Sequence, residues 1–311
     1  MKPVYIINGF LDSGKTSFIN YTLSQPYFKI RGTTLLILCE EGDEEYDETL
    51  LKQNKVVKVL IDEEEDMNPT KLLELDKQYK PERIIIEFNG MWNFKNFKMP
   101  MPWTMEQQIT MIDASTFVTY YTNMRSLLAE MLRKSELIIF NRCDGIKELS
   151  NFKRNVKAVN PGADIVFEDS NGEVNEIMEE ELPYDLKADV IELDNRGFGI
   201  WYLDSMDHPE RYEGKTLKFI GQVMKHENFR KNVFVPGRMA MTCCAEDMAF
   251  LGYLCEYDGT ESLKDKDWVE VTAKVANKPA PEYQNDMGPV LEAIEVKKTA
   301  KPENEVIDFN A

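Results

Sequence analysis

Residues 9 to 16 read Gly9-Phe10-Leu11-Asp12-Ser13-Gly14-Lys15-Thr16, a glycine and four residues followed by Gly-Lys-Thr. That spacing builds a loop whose successive backbone N–H groups converge on an anion, opening into a helix whose N-terminus adds its dipole. Lys15 is placed to neutralise β- and γ-phosphate oxygens and the Thr16 hydroxyl to ligate Mg²⁺, with Asp12, Ser13 and Ser17 beside them. Two later motifs extend this chemistry. The run Arg83 to Ile86 ends in Glu87-Phe88-Asn89-Gly90, where a carboxylate can hold a Mg²⁺-bound or attacking water and a glycine lets the backbone sense a γ-phosphate. The run Leu137 to Phe140 ends in Asn141-Arg142-Cys143-Asp144, close to the Asn-Lys-x-Asp that reads guanine. Asp144 accepts from the guanine N1 and N2 hydrogens, which adenine cannot supply, and Arg142, in place of Lys, can stack its planar guanidinium on the base. Lys15 and Glu87 are the expected catalytic residues. Gly9, Asp12, Ser13, Gly14, Lys15, Thr16, Ser17, Gly90, Asn141, Arg142 and Asp144 are the expected contacts to GTP or GDP.

These residues need a sheet to carry them. Short apolar runs recur at Val4 to Ile7, Leu35 to Leu38, Val56 to Ile61, Ile84 to Ile86, Ile109 to Ile112, Leu137 to Phe140 and Ile165 to Phe167, and read as strands of a buried, mostly parallel sheet. Between them lie helical patterns, one starting at Asn68 with Pro69 in the first position and one running from Ser115 to Arg133. The fold class is α/β, with residues 1–184 as the nucleotide domain. From about residue 186 the pattern becomes β-rich, with runs at Leu217 to Val223, Val233 to Val235, Met239 to Thr242, Phe250 to Tyr257, Trp268 to Val275 and Val290 to Val296. They fit a smaller β-barrel over 185–311, with the boundary near the acidic stretch Glu179 to Glu181 and a frayed tail after about Lys297.

Composition narrows the function further. The 311 residues carry 37 Lys and Arg against 55 Asp and Glu, a net charge of −18 that repels phosphate backbones and anionic lipid surfaces. Neither general nucleic-acid binding nor membrane insertion is expected, since no apolar run approaches the roughly 18 residues of a span. The apolar run after Lys2 is too short for a signal sequence. Five cysteines without a C-x-x-C point to reduced thiols. These features are those of a soluble, cytoplasmic protein.

The first domain resembles the P-loop GTPases of the CobW group, related to urease and nickel-hydrogenase maturation GTPases. Besides the three motifs it shares Ile112-Asp113 and Asn160-Pro161-Gly162-Ala163. The resemblance implies Mg²⁺-dependent GTP hydrolysis coupled to delivery of a transition metal, often zinc or cobalt, to a client, and in some relatives a nucleotide-dependent homodimer. It also places Glu40, within Cys39-Glu40-Glu41-Gly42, on the family's Asn-Glu-x-Gly, which adds Glu40 to Thr16 and Glu87 as a metal ligand. Intrinsic turnover should be slow, since no arginine finger is evident near the P-loop.

Two departures complicate the cargo. The family's Gly-Cys-x-Cys-Cys is replaced by Leu60-Ile61-Asp62-Glu63-Glu64-Glu65-Asp66-Met67, all hard oxygen donors or apolar groups, so the usual thiolate site is absent or re-specified. Seven of the nine residues from Glu40 to Glu48 are acidic, repulsive beside a triphosphate unless a cation or outward rotation relieves them, as in a mobile switch segment. Cys39 is either a thiolate ligand near the nucleotide or a small apolar residue of the sheet.

The second domain resembles the soluble C-terminal domain of a bacterial protein that accompanies predicted permeases, through Pro209-Glu210-Arg211-Tyr212-Glu213-Gly214-Lys215, Cys243-Cys244 with Asp247, and Trp268-Val269. That likeness implies an oligonucleotide-binding-fold-like barrel and a setting of transport or metal homeostasis. Cys243 and Cys244, with Asp247, Cys255 and His226, are candidate soft-metal ligands for zinc or copper(I), provided a bulge or turn brings the adjacent pair together. Otherwise they are packing residues. Lys215, Lys218, Lys225, Arg230, Lys231 and Arg238, interleaved with Phe219, Phe229 and Phe234, are either a groove for single strands or ordinary solvated strand faces. The leading reading is a GTP-hydrolysing, metal-linked protein acting on an unidentified client, and the alternative is a GTP-gated adaptor for a transporter or other protein.

Overall fold

Leu35 to Leu38 and Ile84 to Ile86 are buried on both faces, a pattern that belongs to the middle of a parallel sheet covered by helices on each side. The computed structural model describes residues 1–174, 182–241 and 248–308, and the chain divides into two units, Met1–Glu179 and Glu180–Ala311.

The first unit runs β1 (Lys2–Asn8), α1 (Lys15–Ser24), β2 (Thr34–Leu38), α2 (Glu48–Gln53), β3 (Val56–Leu60), α3 (Pro69–Tyr79), β4 (Arg83–Glu87), β5 (Trp103–Asp113), α4 (Phe117–Asn123), α5 (Arg125–Leu132), β6 (Leu137–Asn141), α6 (Leu149–Val159), β7 (Asp164–Asp169) and β8 (Gly172–Glu173). The sheet order is β3-β2-β4-β1-β5-β6-β7-β8, parallel from β3 to β7 with only β8 reversed. Ile7, Leu36, Ile85, Ile109 and Ile139 pack with Ile19 and Leu23 of α1 on one face. On the other face Ile6, Ile37, Ile84 and Ile86 pack with Leu72 and Leu75 of α3. The α3 start is as the sequence indicates, the Asn68 side chain accepting from the Thr70 and Lys71 amides ahead of Pro69. The helix expected from Ser115 to Arg133 is instead two, broken at Met124 (φ −131°, ψ 33°). The run Phe117-Val118-Thr119-Tyr120-Tyr121-Thr122-Asn123 is β-branched and aromatic, poor at sustaining a helix.

The second unit comprises β9 (Ile191–Leu193), α7 (Asn195–Asp207), β10 (Thr216–Met224), β11 (Val233–Met241), β12 (Met248–Gly252), β13 (Leu254–Glu256), β14 (Trp268–Pro279), β15 (Met287–Lys298) and β16 (Val306–Asp308). Strands β10, β11, β13, β15 and β14 close into a five-stranded barrel. Strands expected apart, Val233 to Val235 and Met239 to Thr242, are one continuous β11 through Met241, while Phe250 to Tyr257 is divided between β12 and β13. Helix α7 was hidden by Gly197 and Gly199, which lower helix propensity. Its Asp194 cap, bonded to the Gly197 amide at 2.7 Å, and its Phe198 and Trp201, packed on Phe219, supply what propensity does not. Tyr212, of the Pro-x-x-Tyr-x-Gly-Lys motif, is fully buried and donates to Asp204 at 2.6 Å.

Within the tail after Lys297, where fraying was expected, residues 306–308 form a strand. β16 pairs in parallel with β11, and Ile307 is 2% exposed in the barrel core. Arg238, itself 2% exposed, donates to the carbonyls of Asn304 and Glu305 and lies over the Trp268 ring at 5.3 Å. One buried apolar side chain, a backbone ladder and a buried guanidinium anchor the segment. Among the described residues no helix is long and apolar enough to cross a membrane.

Ile307→Ala should therefore cost roughly 2–5 kcal/mol in urea unfolding of the second unit. Val306→Ala, at a position 39% exposed, should stay within about 0.5 kcal/mol.

Candidate functional site

Strands β1, β4, β5 and β6 all end at one edge of the parallel sheet, where open α/β sheets place their ligands. The loop after β1 turns through Gly9 (φ 144°), Asp12 (φ 59°) and Gly14 (φ 91°) and enters α1 at Lys15. A Cβ on Gly9 would lie 2.3 Å from the Met111 carbonyl oxygen, and one on Gly90 2.5 Å from the Gly9 carbonyl oxygen. Backbone contact at those two positions leaves room for hydrogen only.

Lys15 is 3% exposed, and its ammonium meets the carbonyls of Gly9 (2.9 Å) and Phe10 (2.8 Å) and the Glu40 carboxylate (2.6 Å). The Thr16 hydroxyl donates to Glu87 Oε1 at 2.9 Å, while the Tyr46 hydroxyl donates to Glu87 Oε2. Burial pushes the Glu87 carboxyl above the usual carboxylate range, against the opposing pull of Tyr46, Lys15 and Thr16. Burial, and then the neighbouring Glu87 charge, raise the Tyr46 phenol, which stays a donor. Ser17 donates to Glu44. Lys15, Thr16, Glu40, Glu44 and Glu87 border a cavity of about 260 Å³, together with Asp12, Asp43 and Arg142.

The residues fit a Mg-nucleotide. The loop turns at glycines where no Cβ could be accommodated, and the hydroxyl and carboxylate oxygens of Thr16, Glu87 and Glu40 on the cavity are hard donors suited to Mg²⁺.

At the end of β6 the Asn141 amide donates to the Ser13 carbonyl at 2.7 Å, tying the base motif to the P-loop. Arg142 also reaches the P-loop. Its Nη1 bonds the Asp12 carbonyl (2.8 Å) and Asp113 (2.5 Å), bracing the P-loop to β5 while the side chain stays half exposed. Asp113 pays for its own burial and is still held below the usual range by Ser115 and Arg142. Asp144 is exposed and accepts from the Ser170 hydroxyl (2.5 Å) and amide (3.2 Å), which hold its carboxyl low. Cys143 is buried, its thiol pushed up to about 11 by desolvation.

Cys39 is 1% exposed among Ile37, Ile86 and Phe88, and burial raises its thiol strongly. It lies just past the end of β2, packed as a small apolar side chain. Cys255 is likewise buried in the barrel core, and Cys243, Cys244 and Asp247 lie outside the described residues. Among the described residues no three His, Cys, Asp or Glu side chains converge as a metal cluster. Much of the basic run of the second unit is engaged: Lys218 near Glu192 and Glu270, Lys225 on the Thr260 and Leu263 carbonyls, Arg230 on Glu256 and Glu282, and Arg238 on the tail.

Sequence reasoning missed Tyr46 and Ser170. Tyr46 has a faint signal, as the one aromatic in an acidic run; Ser170 has none, because its partner is 26 residues away.

A Gly-Lys-Thr loop opening a helix at the carboxyl edge of a parallel sheet, beside an E-x-x-G and an aspartate at the base motif, defines a P-loop nucleotide-binding domain. Residues 3–167 match the family described as CobW/HypB/UreG, nucleotide-binding domain. That is more than half of the sequence, and the chain belongs to this family of P-loop GTPases. Residues 169–307 match the DUF1980 C-terminal domain, which agrees with the two-part resemblance read from the sequence. Among solved structures the chain is similar to the Zn(II)-bound YjiA GTPase from E. coli, at 16% identity over 86% of this chain and 92% of that one, TM-score 0.41. It is also similar to the hydrogenase maturation factor HypB from Archaeoglobus fulgidus, at 17% identity over 55% and 82% of the two chains, TM-score 0.40. HypB from Helicobacter pylori in complex with nickel aligns at 16% identity over 54% and 79%, TM-score 0.37. No curated protein matches the chain.

If Asp144 reads the base, Asp144→Asn should weaken GTP at least about tenfold. The same variant should favour xanthosine triphosphate, whose O2 accepts where the guanine N2 donates. Competition against a fluorescent guanine nucleotide measures both.

Proposed function

We propose that this protein is a Mg²⁺-dependent GTPase that couples its nucleotide state to delivery of a metal or to remodelling of a partner protein. The observation that carries the reading is the convergence of Lys15, Thr16 and Glu87 on one cavity under a P-loop too tight for side chains at Gly9 and Gly90. In the bound state the β- and γ-phosphate oxygens replace Glu40 and the Gly9 and Phe10 carbonyls around the Lys15 ammonium, and the P-loop amides take the remaining phosphate charge. Thr16 and Glu87, with Glu40, would hold Mg²⁺, which when bound neutralises charge on the phosphates. Glu87 holds a water at Oε1, either one bound to Mg²⁺ or the attacking one. Asp144, preset by Ser170, accepts from the guanine edge, and Asn141 keeps that edge in register with the P-loop. Gly90, pressed on Gly9, transmits the γ-phosphate contact into the segment beyond it.

A second reading has its own support. The stretch Leu60 to Met67 holds no cysteine, and a chain without that thiolate site suits a GTP-gated adaptor, in which nucleotide is mainly a ligand and the barrel recruits a transporter or another protein. In either case the location is expected to be cytoplasmic and the client unidentified; a nucleotide-dependent homodimer belongs to the first reading.

The deciding experiment measures phosphate release from GTP and ATP with Mg²⁺ or with chelator, alongside a Zn²⁺ titration with GTP or GDP bound. Slow, Mg²⁺-dependent turnover of GTP over ATP, lost by at least roughly 100-fold in Lys15→Ala, supports the GTPase. Zn²⁺ binding that differs between nucleotide states, and is lost in Cys243→Ser/Cys244→Ser, supports metal delivery. Tight GTP binding without turnover moves the protein to the adaptor reading, and absence of GTP binding overturns both.

A further inference from the structure

Glu87 is a buried carboxylate whose two oxygens each receive one hydroxyl from a different part of the chain. Thr16, in the first turn of α1, serves Oε1, and Tyr46, in the acidic segment before α2, serves Oε2. We propose that Tyr46 is a positioning residue for Glu87, fixing the carboxylate so that Oε1 stays turned toward Thr16 and the phosphate cavity. The inference rests on the reading of Glu87 as the group that holds water or Mg²⁺.

A glutamate side chain has three rotatable bonds, and a buried oxygen without a donor costs about 1–3 kcal/mol. If Oε2 lacked Tyr46, the carboxylate could recover a partner by swinging toward the Lys15 ammonium, whose charge already acts on it. Tyr46 removes that incentive with a neutral donor. Residue type matters at this place. The neighbours Asp43, Glu44, Glu45, Asp47 and Glu48 are all acidic, and a carboxylate reaching Glu87 would repel it, whereas a phenol reaches equally far and donates.

The surroundings hold Tyr46 in place from both sides. Its ring packs against the cluster containing Leu38 and Leu51. The Glu45 carbonyl accepts from Asn20 Nδ2 and the Asp47 amide donates to Asn20 Oδ1, each at 3.3 Å. Asp47 then caps α2 through the Thr49 and Leu50 amides at 2.8 and 3.1 Å. A helix start on one side and α1 on the other thus aim the phenol, and the acidic segment becomes a support for Glu87 as well as a flank of the cavity.

The test is Tyr46→Phe, which keeps the ring and removes one oxygen. For GTP, kcat should fall roughly 10–100-fold while KM changes by less than about threefold, because ground-state binding is untouched and the reacting geometry is loosened. In nucleotide-free protein, amide hydrogen exchange over residues 46–51 should accelerate, with the thermal midpoint kept within about 4 °C. Unchanged kcat, or a rise in KM alone, overturns the proposal. If the wild-type protein shows no turnover, the hydrolase reading fails by itself. Exchange then decides Tyr46: acceleration over 46–51 keeps the contact, and an unaltered pattern overturns it.

Discussion

The site depends on a backbone-to-backbone contact. Gly90 lies so close to the Gly9 carbonyl and the Phe10 Cα that a methyl group would have to sit 2.5 to 2.9 Å from them, well inside van der Waals distance. Gly9 in turn rests on Met111, and Gly14 on the Asn141 amide. The P-loop is therefore seated on backbone at the end of β5 and just beyond β4, and on the Asn141 side chain at the end of β6. A packed contact of this kind transmits small shifts instead of absorbing them, so any movement of the P-loop at Gly9 bears directly on Gly90.

Charge is the second constraint. A chain with net charge −18 has brought Asp12, Glu40, Asp43, Glu44 and Glu87 to one cavity with only Lys15 and Arg142 to balance them. Glu40 is drawn onto Lys15 and Glu44 onto Ser17, so the acidic segment faces the cavity through these side chains while Glu41 and Glu45 remain in solvent. The second unit handles charge differently: Arg230, Lys278 and their carboxylate partners Glu256, Glu282 and Glu292 form a cross-strand network. Of the basic residues that could form a groove, Lys218, Lys225, Arg230 and Arg238 are engaged by neighbours.

Much of this was legible in the sequence, for definite reasons. Strands such as Ile84 to Ile86 betray themselves because both faces are buried and every residue must be apolar, and the P-loop because phosphate recognition demands glycine where φ is positive. Partners distant in sequence were not legible. Arg142 sits in a motif that reads a base, and nothing in that motif announces its bond to Asp113, 29 positions earlier. Tyr46 looked like one more member of an acidic loop, since nothing local announces a carboxylate 41 positions later. Helix α7 was hidden by its glycines and β16 by its brevity; both exist because tertiary packing of Trp201 and Ile307 overrides local preference.

The pairing of β16 with β11 sets an order on biosynthesis. Arg238 and the Glu305 carbonyl that it holds are 67 residues apart, and at roughly 5–20 residues per second the ribosome needs several seconds to supply the second after the first. During that interval the nascent barrel carries an unpaired strand edge and a buried-type guanidinium without its carbonyls, a surface prone to pairing with neighbouring chains on the same message. Completion of the second unit thus waits on a segment made 67 residues after Arg238, and until then residues 239–241 of β11 lack the parallel strand that pairs with them.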